Sequence, residues 1–112
     1  MITEIVCPSK LFFSKNVDFI ILPGAEGDFG VLNNHSPMIL SLRSGLIYIY
    51  LEKKMINIFY IKSGVCEITK NKCIILTEDV EDTENLDISK DKTEDVDYLK
   101  VKKTILNTKF YN

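Results

Sequence analysis

The chain offers few side chains that could act as a nucleophile or a general base. It has one histidine, His35, which could serve as a base for Ser36 or Cys66. A catalytic triad needs a third group that orients the base, and the sequence lacks the G-x-S-x-G turn that exposes a hydrolase nucleophile. We therefore predict no catalytic residues. A small enzyme that uses His35 with Ser36 or Cys66 is kept as an alternative.

The same side chains are a poor set of metal ligands. Cys7, Cys66 and Cys73 are isolated, and one histidine cannot complete a Cys/His zinc site. The acidic residues around Gly27 lack the spacing and the final glutamate of an EF-hand loop. We predict no metal site, and cysteines that pack as free, small apolar side chains.

Three glycines recur at every third position between Pro23 and Pro37, namely Gly24, Gly27 and Gly30. A dinucleotide loop needs G-x-G-x-x-G between a strand and a helix, and a P-loop needs a Gly-Lys-Ser/Thr ending; neither pattern is present. Glycine permits left-handed backbone and the close approach of another chain, and proline fixes the exit from a turn. The sequence therefore predicts no cofactor and a stiff loop that contacts another protein.

Short apolar runs separated by turn residues predict the strands that position this loop. The predicted strands are Ile2–Cys7, Lys10–Ser14, Val17–Leu22, Met38–Leu42, Leu46–Leu51, Met55–Lys62, Val65–Thr69 and Cys73–Thr77. Turn signals at roughly every tenth residue are typical of an all-β sandwich or barrel. Several runs, such as Leu46–Leu51, are apolar on both faces, which favours either a central position in the sheet or cover by a partner.

Composition excludes several classes of protein. The net charge of -2 and the absence of a basic stripe argue against nucleic-acid binding. No apolar run approaches the ~20 residues that a membrane-spanning helix needs. The first residues lack the basic start and the apolar run of a signal peptide. These features predict a globular protein of the cytosol or an equivalent compartment.

The character of the chain changes near residue 78. The segment from Glu78 to Asp97 is strongly acidic and has no core pattern, which predicts a solvated connection. Farther on, Tyr98, Val101 and Ile105 share one face of a predicted helix. A helix of roughly four turns is marginally stable unless it docks on another surface.

Three motifs follow one another along the chain: Gly24–Gly30 with His35–Pro37, then Leu42–Ile47, then Ser63–Ile68. The first resembles the signature Pro/Gly-x-E-G-x-x-G-x-x-x-x-H-x-P of the ε subunit of rotary F-type ATP synthases, called δ in mitochondria. The second is similar to the family's L-x-x-G-x-I/V. The third is similar to its G-G-x-x-E-V, with Ser63 in place of the first glycine.

The resemblance implies a mainly β fold with two parts. An N-terminal β-sandwich of about ten strands, residues 1–86, is followed by a short C-terminal helical segment, residues 87–112. It implies a non-catalytic central-stalk subunit that packs on the γ subunit and rests on the membrane c-ring, coupling rotation to proton-driven ATP synthesis. The implied location is peripheral, on the cytoplasmic face of the bacterial inner membrane, with the matrix face of an organelle membrane as the alternative.

The resemblance also assigns contact residues. Contact with the c-ring is expected at Glu26, Asp28, Phe29 and His35. Contact with the γ subunit is expected at Ser36, Pro37 and Met38. Both groups belong to, or directly follow, the glycine-rich stretch.

The C-terminal part departs from the family pattern. Family members end in two long helices, which in some fold around ATP with an I/L-D-x-x-R-A motif. Leu86–Asp87 matches the opening of that motif, but Lys90–Asp91 stands in place of Arg-Ala. We predict weak or absent ATP binding and weak autoinhibition. The alternative to the stalk subunit is a free-standing β-sandwich that binds an unrelated protein or a small ligand.

Overall fold

A computed structural model describes residues 1–83 of the chain, and ten β-strands occupy this range. The strands are β1 (Ile2–Cys7), β2 (Lys10–Asn16), β3 (Phe19–Gly24), β4 (Gly27–Leu32), β5 (Met38–Leu42), β6 (Gly45–Leu51), β7 (Lys54–Ile61), β8 (Gly64–Ile68), β9 (Lys72–Leu76) and β10 (Val80–Asp82). The predicted mainly β fold of about ten strands is confirmed. The predicted helical tail and the predicted boundary at residue 86 lie outside the described residues. Within residues 1–83, no helix has the length and apolar character needed to cross a membrane.

The ten strands form one sheet that folds over itself into two layers. Its strand order is β10-β7-β6-β3-β5-β8-β9-β1-β2, and β4 pairs with β3. The only residue pair joining β3 to β5 is Gly24 with Leu42, and this marks the corner between the layers. At the far ends of the order, the rings of Phe12 and Phe13 on β2 each lie 5.2 Å from the ring of Phe59 on β7. The two layers therefore close face to face around one core.

Alternating side chains of these strands fill the space between the layers. Isoleucine dominates, because its branched side chain suits a pleated surface. The fully buried isoleucines are Ile5, Ile20, Ile47, Ile49, Ile61, Ile68 and Ile75. On the outer face of β6 and β7 a second, smaller cluster is formed by Leu46, Ile58 and Tyr60, with Tyr48 and Met55 packed against it. Strand β6 is thus apolar on both faces, as its sequence predicts.

The cysteines behave as the sequence predicts, since all three are free thiols. Cys66 and Cys73 are fully buried on neighbouring strands, with their sulfur atoms 3.2 Å apart. The hydrogen bond between the two thiols, together with burial, raises the pKa of Cys66. Burial, with Asp79 nearby, raises the pKa of Cys7. A raised pKa disfavours the thiolate, so these groups are poor nucleophiles.

Thr3 is a polar exception in the core, and its replacement should stabilise the protein. Its side chain is fully buried, and within residues 1–83 its hydroxyl has no hydrogen-bond partner. An unpaired buried hydroxyl costs about 1–3 kcal/mol. We expect Thr3→Val to raise the free energy of unfolding by about 1 kcal/mol in urea denaturation.

Thr77 provides the matched control for this substitution. It is also buried, but its hydroxyl donates to the carbonyl of Ser63 at 2.6 Å and lies 3.1 Å from that of Asp79. Thr77→Val should lower the free energy of unfolding by about 1 kcal/mol, because it leaves these carbonyls unpaired. A loss of stability in Thr3→Val equal to that in Thr77→Val would contradict the prediction.

Three predictions about the strands are wrong. The stretch from Pro23 to Pro37 is not a single loop, because β4 pairs with β3 from Gly27 to Leu32. The predicted strand Val17–Leu22 is observed at Phe19–Gly24, continuing through Pro23 to the corner. The start of the acidic segment is not a solvated connection, because β10 pairs with β7 and buries Val80. Each of these segments is decided by pairing with another strand, which the residues of the segment alone do not reveal.

Candidate protein interface

The glycine-rich stretch forms the tip of a β-hairpin at the corner between the layers. Strands β3 and β4 are joined by Ala25 and Glu26, and the last residue pair before the turn is Gly24 with Gly27. Gly27 has a φ of 143°, a conformation that side chains disfavour. A Cβ on Gly24 would lie 2.5 Å from the carbonyl oxygen of Gly27, which no real contact allows. Two of the three glycines are therefore required by the backbone of the turn.

Arg43, the single arginine of the chain, holds this tip against the turn between β5 and β6. Its guanidinium donates to the carboxylate of Asp28 at 2.7 Å and to the carbonyl of Gly24. Its backbone N–H donates to the carbonyl of Pro23 at 2.8 Å. Asp28, which the resemblance directs at the c-ring, is thus engaged by a side chain of its own subunit.

A groove of about 550 Å³ separates the hairpin tip from β5. It is lined by residues 24–29 of the hairpin and residues 38–41 of β5. Ile39 is one of these lining residues and is 73% exposed, more than any other large apolar residue of the described range. The structure therefore brings Glu26, Asp28 and Phe29, expected at the c-ring, to the same groove as Met38, expected at γ.

The remaining predicted contact residues lie in the connection from β4 to β5. The ring of His35 packs edge-on against Phe29, with centroids 5.5 Å apart, and its Nδ1 donates to the carbonyl of Ser36 at 2.7 Å. Asn34 adopts a left-handed φ of 64°, which asparagine tolerates better than most residues. Ser36 and Pro37 are exposed.

These surroundings direct His35 to the backbone of Ser36 and do not include the thiol of Cys66. The ring contacts Phe29 and the backbone of Ser36, whereas the thiol of Cys66 is buried against Cys73. Among residues 1–83, no group of three or more histidine, cysteine or acidic side chains could hold a metal ion.

The second layer, formed by β5, β8, β9, β1 and β2, carries an exposed feature that the sequence did not predict. On its outer face, Val65, Leu76, Val6 and Leu11 are consecutive neighbours across β8, β9, β1 and β2. Ile39 on β5 lies on the same face but diagonally from Val65, because Ser41 is paired with Val65 and Ile39 with Glu67. We call these five residues the apolar stripe (Ile39, Val65, Leu76, Val6 and Leu11), of which four are exposed and Val6 is half-buried. A second groove of about 450 Å³ lies against the middle of the stripe, lined by Val6, Val65 and Leu76 together with Pro8 and Gly64.

A signal for the stripe is present in the sequence but is incomplete. Val65 and Leu76 alternate with the buried Cys66 and Ile75, and they share their faces with the charged Glu67 and Lys72. These charges indicate the solvent face of each strand, but they do not tell which exposed apolar residues become neighbours. The pairing of the strands decides this, because it places Val65 opposite Leu76.

Comparison with known proteins agrees with this architecture. The family model described as "ATP synthase, Delta/Epsilon chain, beta-sandwich domain" matches residues 1–83. The ATP synthase epsilon chain of Chlorobium limicola is 43% identical over 77 residues, which cover 69% of this chain and 88% of that protein. The epsilon chain of Granulibacter bethesdensis is 40% identical over 75 residues, which cover 67% of this chain and 56% of that protein. The match thus spans little more than half of some relatives.

Solved structures share the fold. A chain of the Euglena gracilis mitochondrial ATP synthase aligns with a TM-score of 0.72 and 21% identity, covering 78% of this chain and 56% of that one. A structure of the central stalk and c-ring of the Tetrahymena thermophila mitochondrial ATP synthase contains a second similar chain. That chain aligns with a TM-score of 0.67 and 16% identity, and the alignment covers 86% of this chain and 76% of that one. The family model covers all of residues 1–83, and the chain therefore belongs to the family of ATP synthase delta/epsilon chains.

Proposed function

We propose that this protein is a non-catalytic subunit of the central stalk of an F-type ATP synthase. In this proposal it binds the γ subunit and couples γ rotation to the membrane c-ring during proton-driven ATP synthesis. Its place is peripheral, on the cytoplasmic face of the bacterial inner membrane. Membership of the delta/epsilon family supports the proposal.

The apolar stripe is the observation that carries the proposal. Ile39, Leu76 and Leu11 expose 73%, 49% and 54% of their side chains on one face of the second layer. Contiguous exposed apolar surface marks sites where soluble proteins bind partners. A surface that extends across five strands is larger than a small-ligand site needs, so it suits a partner protein better than a small ligand. We assign the γ subunit to this face.

The hairpin tip supplies a second contact surface. Glu26 is exposed at the turn, and among residues 1–83 no side chain pairs with it. The tip lies at the corner between the layers, and the stripe meets it at the groove beside Ile39 and extends from there across the second layer to β2. Two surfaces allow one rigid subunit to hold two partners at once. We assign the tip, with Phe29 and His35 behind it, to the c-ring.

Co-expression of the full chain with its γ subunit and c-ring tests the proposal. We expect the three to co-purify after detergent extraction, and we expect liposomes containing the assembled enzyme to make ATP only when this chain is present. The control is the same enzyme assembled without it. A chain that elutes alone while γ and the c-ring remain associated would contradict the proposal and favour a free-standing β-sandwich with another partner.

A further inference from the structure

We propose that Arg43 is a positioning residue that sets the pose of the β3–β4 hairpin tip toward the c-ring. The inference rests on the proposed function for its partner, and on the geometry of the tip for its mechanism. Arg43 touches neither the turn residue Ala25 nor Glu26 by any described hydrogen bond or ion pair. It acts on them through the two strands that the turn joins.

The guanidinium of Arg43 bridges those two strands directly before the turn. One nitrogen donates to the carbonyl of Gly24 on β3, and the other donates to the carboxylate of Asp28 on β4. The planar fork of arginine presents two donors in fixed directions, which a lysine ammonium cannot reproduce. The bridge therefore sets both the spacing of the strands at the tip and their tilt relative to the turn that carries Arg43.

The bridge contributes more to geometry than to folding stability. The side chains of Arg43 and Asp28 are 43% and 63% exposed, and exposed ion pairs stabilise proteins little. Two backbone hydrogen bonds also hold the hairpin, from Ala25 to Ser41 and from Arg43 to Pro23, each of 2.8 Å. Loss of the guanidinium should leave the sandwich folded and loosen only the tip.

The bridge also decides which charge the tip presents. Asp28 is neutralised by Arg43, while Glu26 has no partner among residues 1–83. A cationic group on the c-ring would therefore meet Glu26. Asp28→Asn should resemble Arg43→Lys, because the first removes the charge of the acceptor and the second removes the fork that reaches both acceptors. Glu26→Gln should instead weaken the contact without loosening the tip.

Amide hydrogen exchange on the full chain measures the pose of the tip without any partner. In Arg43→Lys and Asp28→Asn we expect exchange at Ala25 to become about two- to fivefold faster, with the melting temperature unchanged. Glu26→Gln and the remote Lys54→Ala, on β7, should leave this exchange unchanged. Unchanged exchange at Ala25 in both Arg43→Lys and Arg43→Ala would overturn the inference.

The effect of the tip pose on coupling is measured in the assembled enzyme. The readout is ATP-driven proton pumping divided by ATP hydrolysis. We expect this ratio to fall about two- to fivefold in Arg43→Lys, Asp28→Asn and Glu26→Gln, with γ affinity unchanged. A fall of the same size in Lys54→Ala would overturn the role of Arg43. If the unsubstituted chain fails to assemble, the proposed function fails, and the exchange data still decide whether Arg43 positions the tip.

Discussion

Leu76→Lys is expected to lower the affinity for the γ subunit by about 30- to 700-fold, or ~2–4 kcal/mol. Leu76 lies in the apolar stripe between Val65 and Val6, and 49% of its side chain is exposed. A lysine there would bring an unpaired charge into the middle of an interface that excludes water. The affinity is measured by titrating the full chain into isolated γ subunit.

Leu32→Lys is the matched control for this substitution. Leu32 is a leucine of similar exposure, 62%, on β4 of the other layer. Both substitutions should leave the free energy of unfolding within about 0.5 kcal/mol of the unsubstituted value, because both sites are exposed. Equal loss of γ affinity in the two variants would contradict the assignment of γ to the stripe. No loss in Leu76→Lys would contradict it as well.

Phe59→Ala is expected to lower the free energy of unfolding by about 3–5 kcal/mol. Phe59 on β7 is 2% exposed and packs edge-on against the rings of Phe12 and Phe13 on β2. This cluster closes the two layers at the ends of the strand order, so its loss opens a cavity and weakens the contact between layers. The whole free energy of unfolding of a domain of this size is about 5–15 kcal/mol. The variant should therefore be largely unfolded at moderate urea concentrations.

Phe19→Ala serves as the control for burial. Phe19 also pairs with an aromatic ring, that of Tyr50 at 5.5 Å, but on the half-buried outer face of β3. Removal of the Phe19 ring should lower the free energy of unfolding by about 1 kcal/mol. Phe59→Leu should lower it less than Phe59→Ala, because leucine retains most of the side-chain volume. Urea midpoints that rank Phe19→Ala below Phe59→Ala in stability would show that Phe59 does not close the sandwich.

The strands that the sequence predicts well are those with turn residues or a proline at their ends. Ile2–Cys7 and Met38–Leu42 have the predicted bounds, because each run of apolar residues ends at a turn or begins after a proline. Strand β4 contains Gly27, Asp28 and Gly30, which are poor strand formers, and it exists because β3 lies beside it. Strand β10 is short and acidic, and it depends in the same way on β7.

The candidate sites also differ in how far the sequence predicts them. The glycines of the tip are predictable, since their positions require a residue without a side chain. The bridge from Arg43 to Asp28 is not, because it joins residues 15 apart in sequence on different elements of the fold. The stripe is not predictable either, because the strand order and register decide which exposed apolar residues become neighbours.

The sequence by itself determined the fold class, the family motifs and the glycine turn, because these depend on local residue types and their spacing. Only the tertiary structure decided how the chemical groups are used. It gave Asp28 an internal partner, packed His35 against Phe29 and placed the thiol of Cys66 against Cys73. It also turned Leu76 and Val65 outward. The physical reason is that strand pairing joins distant residues, and a shift of one residue reverses every side chain of a strand.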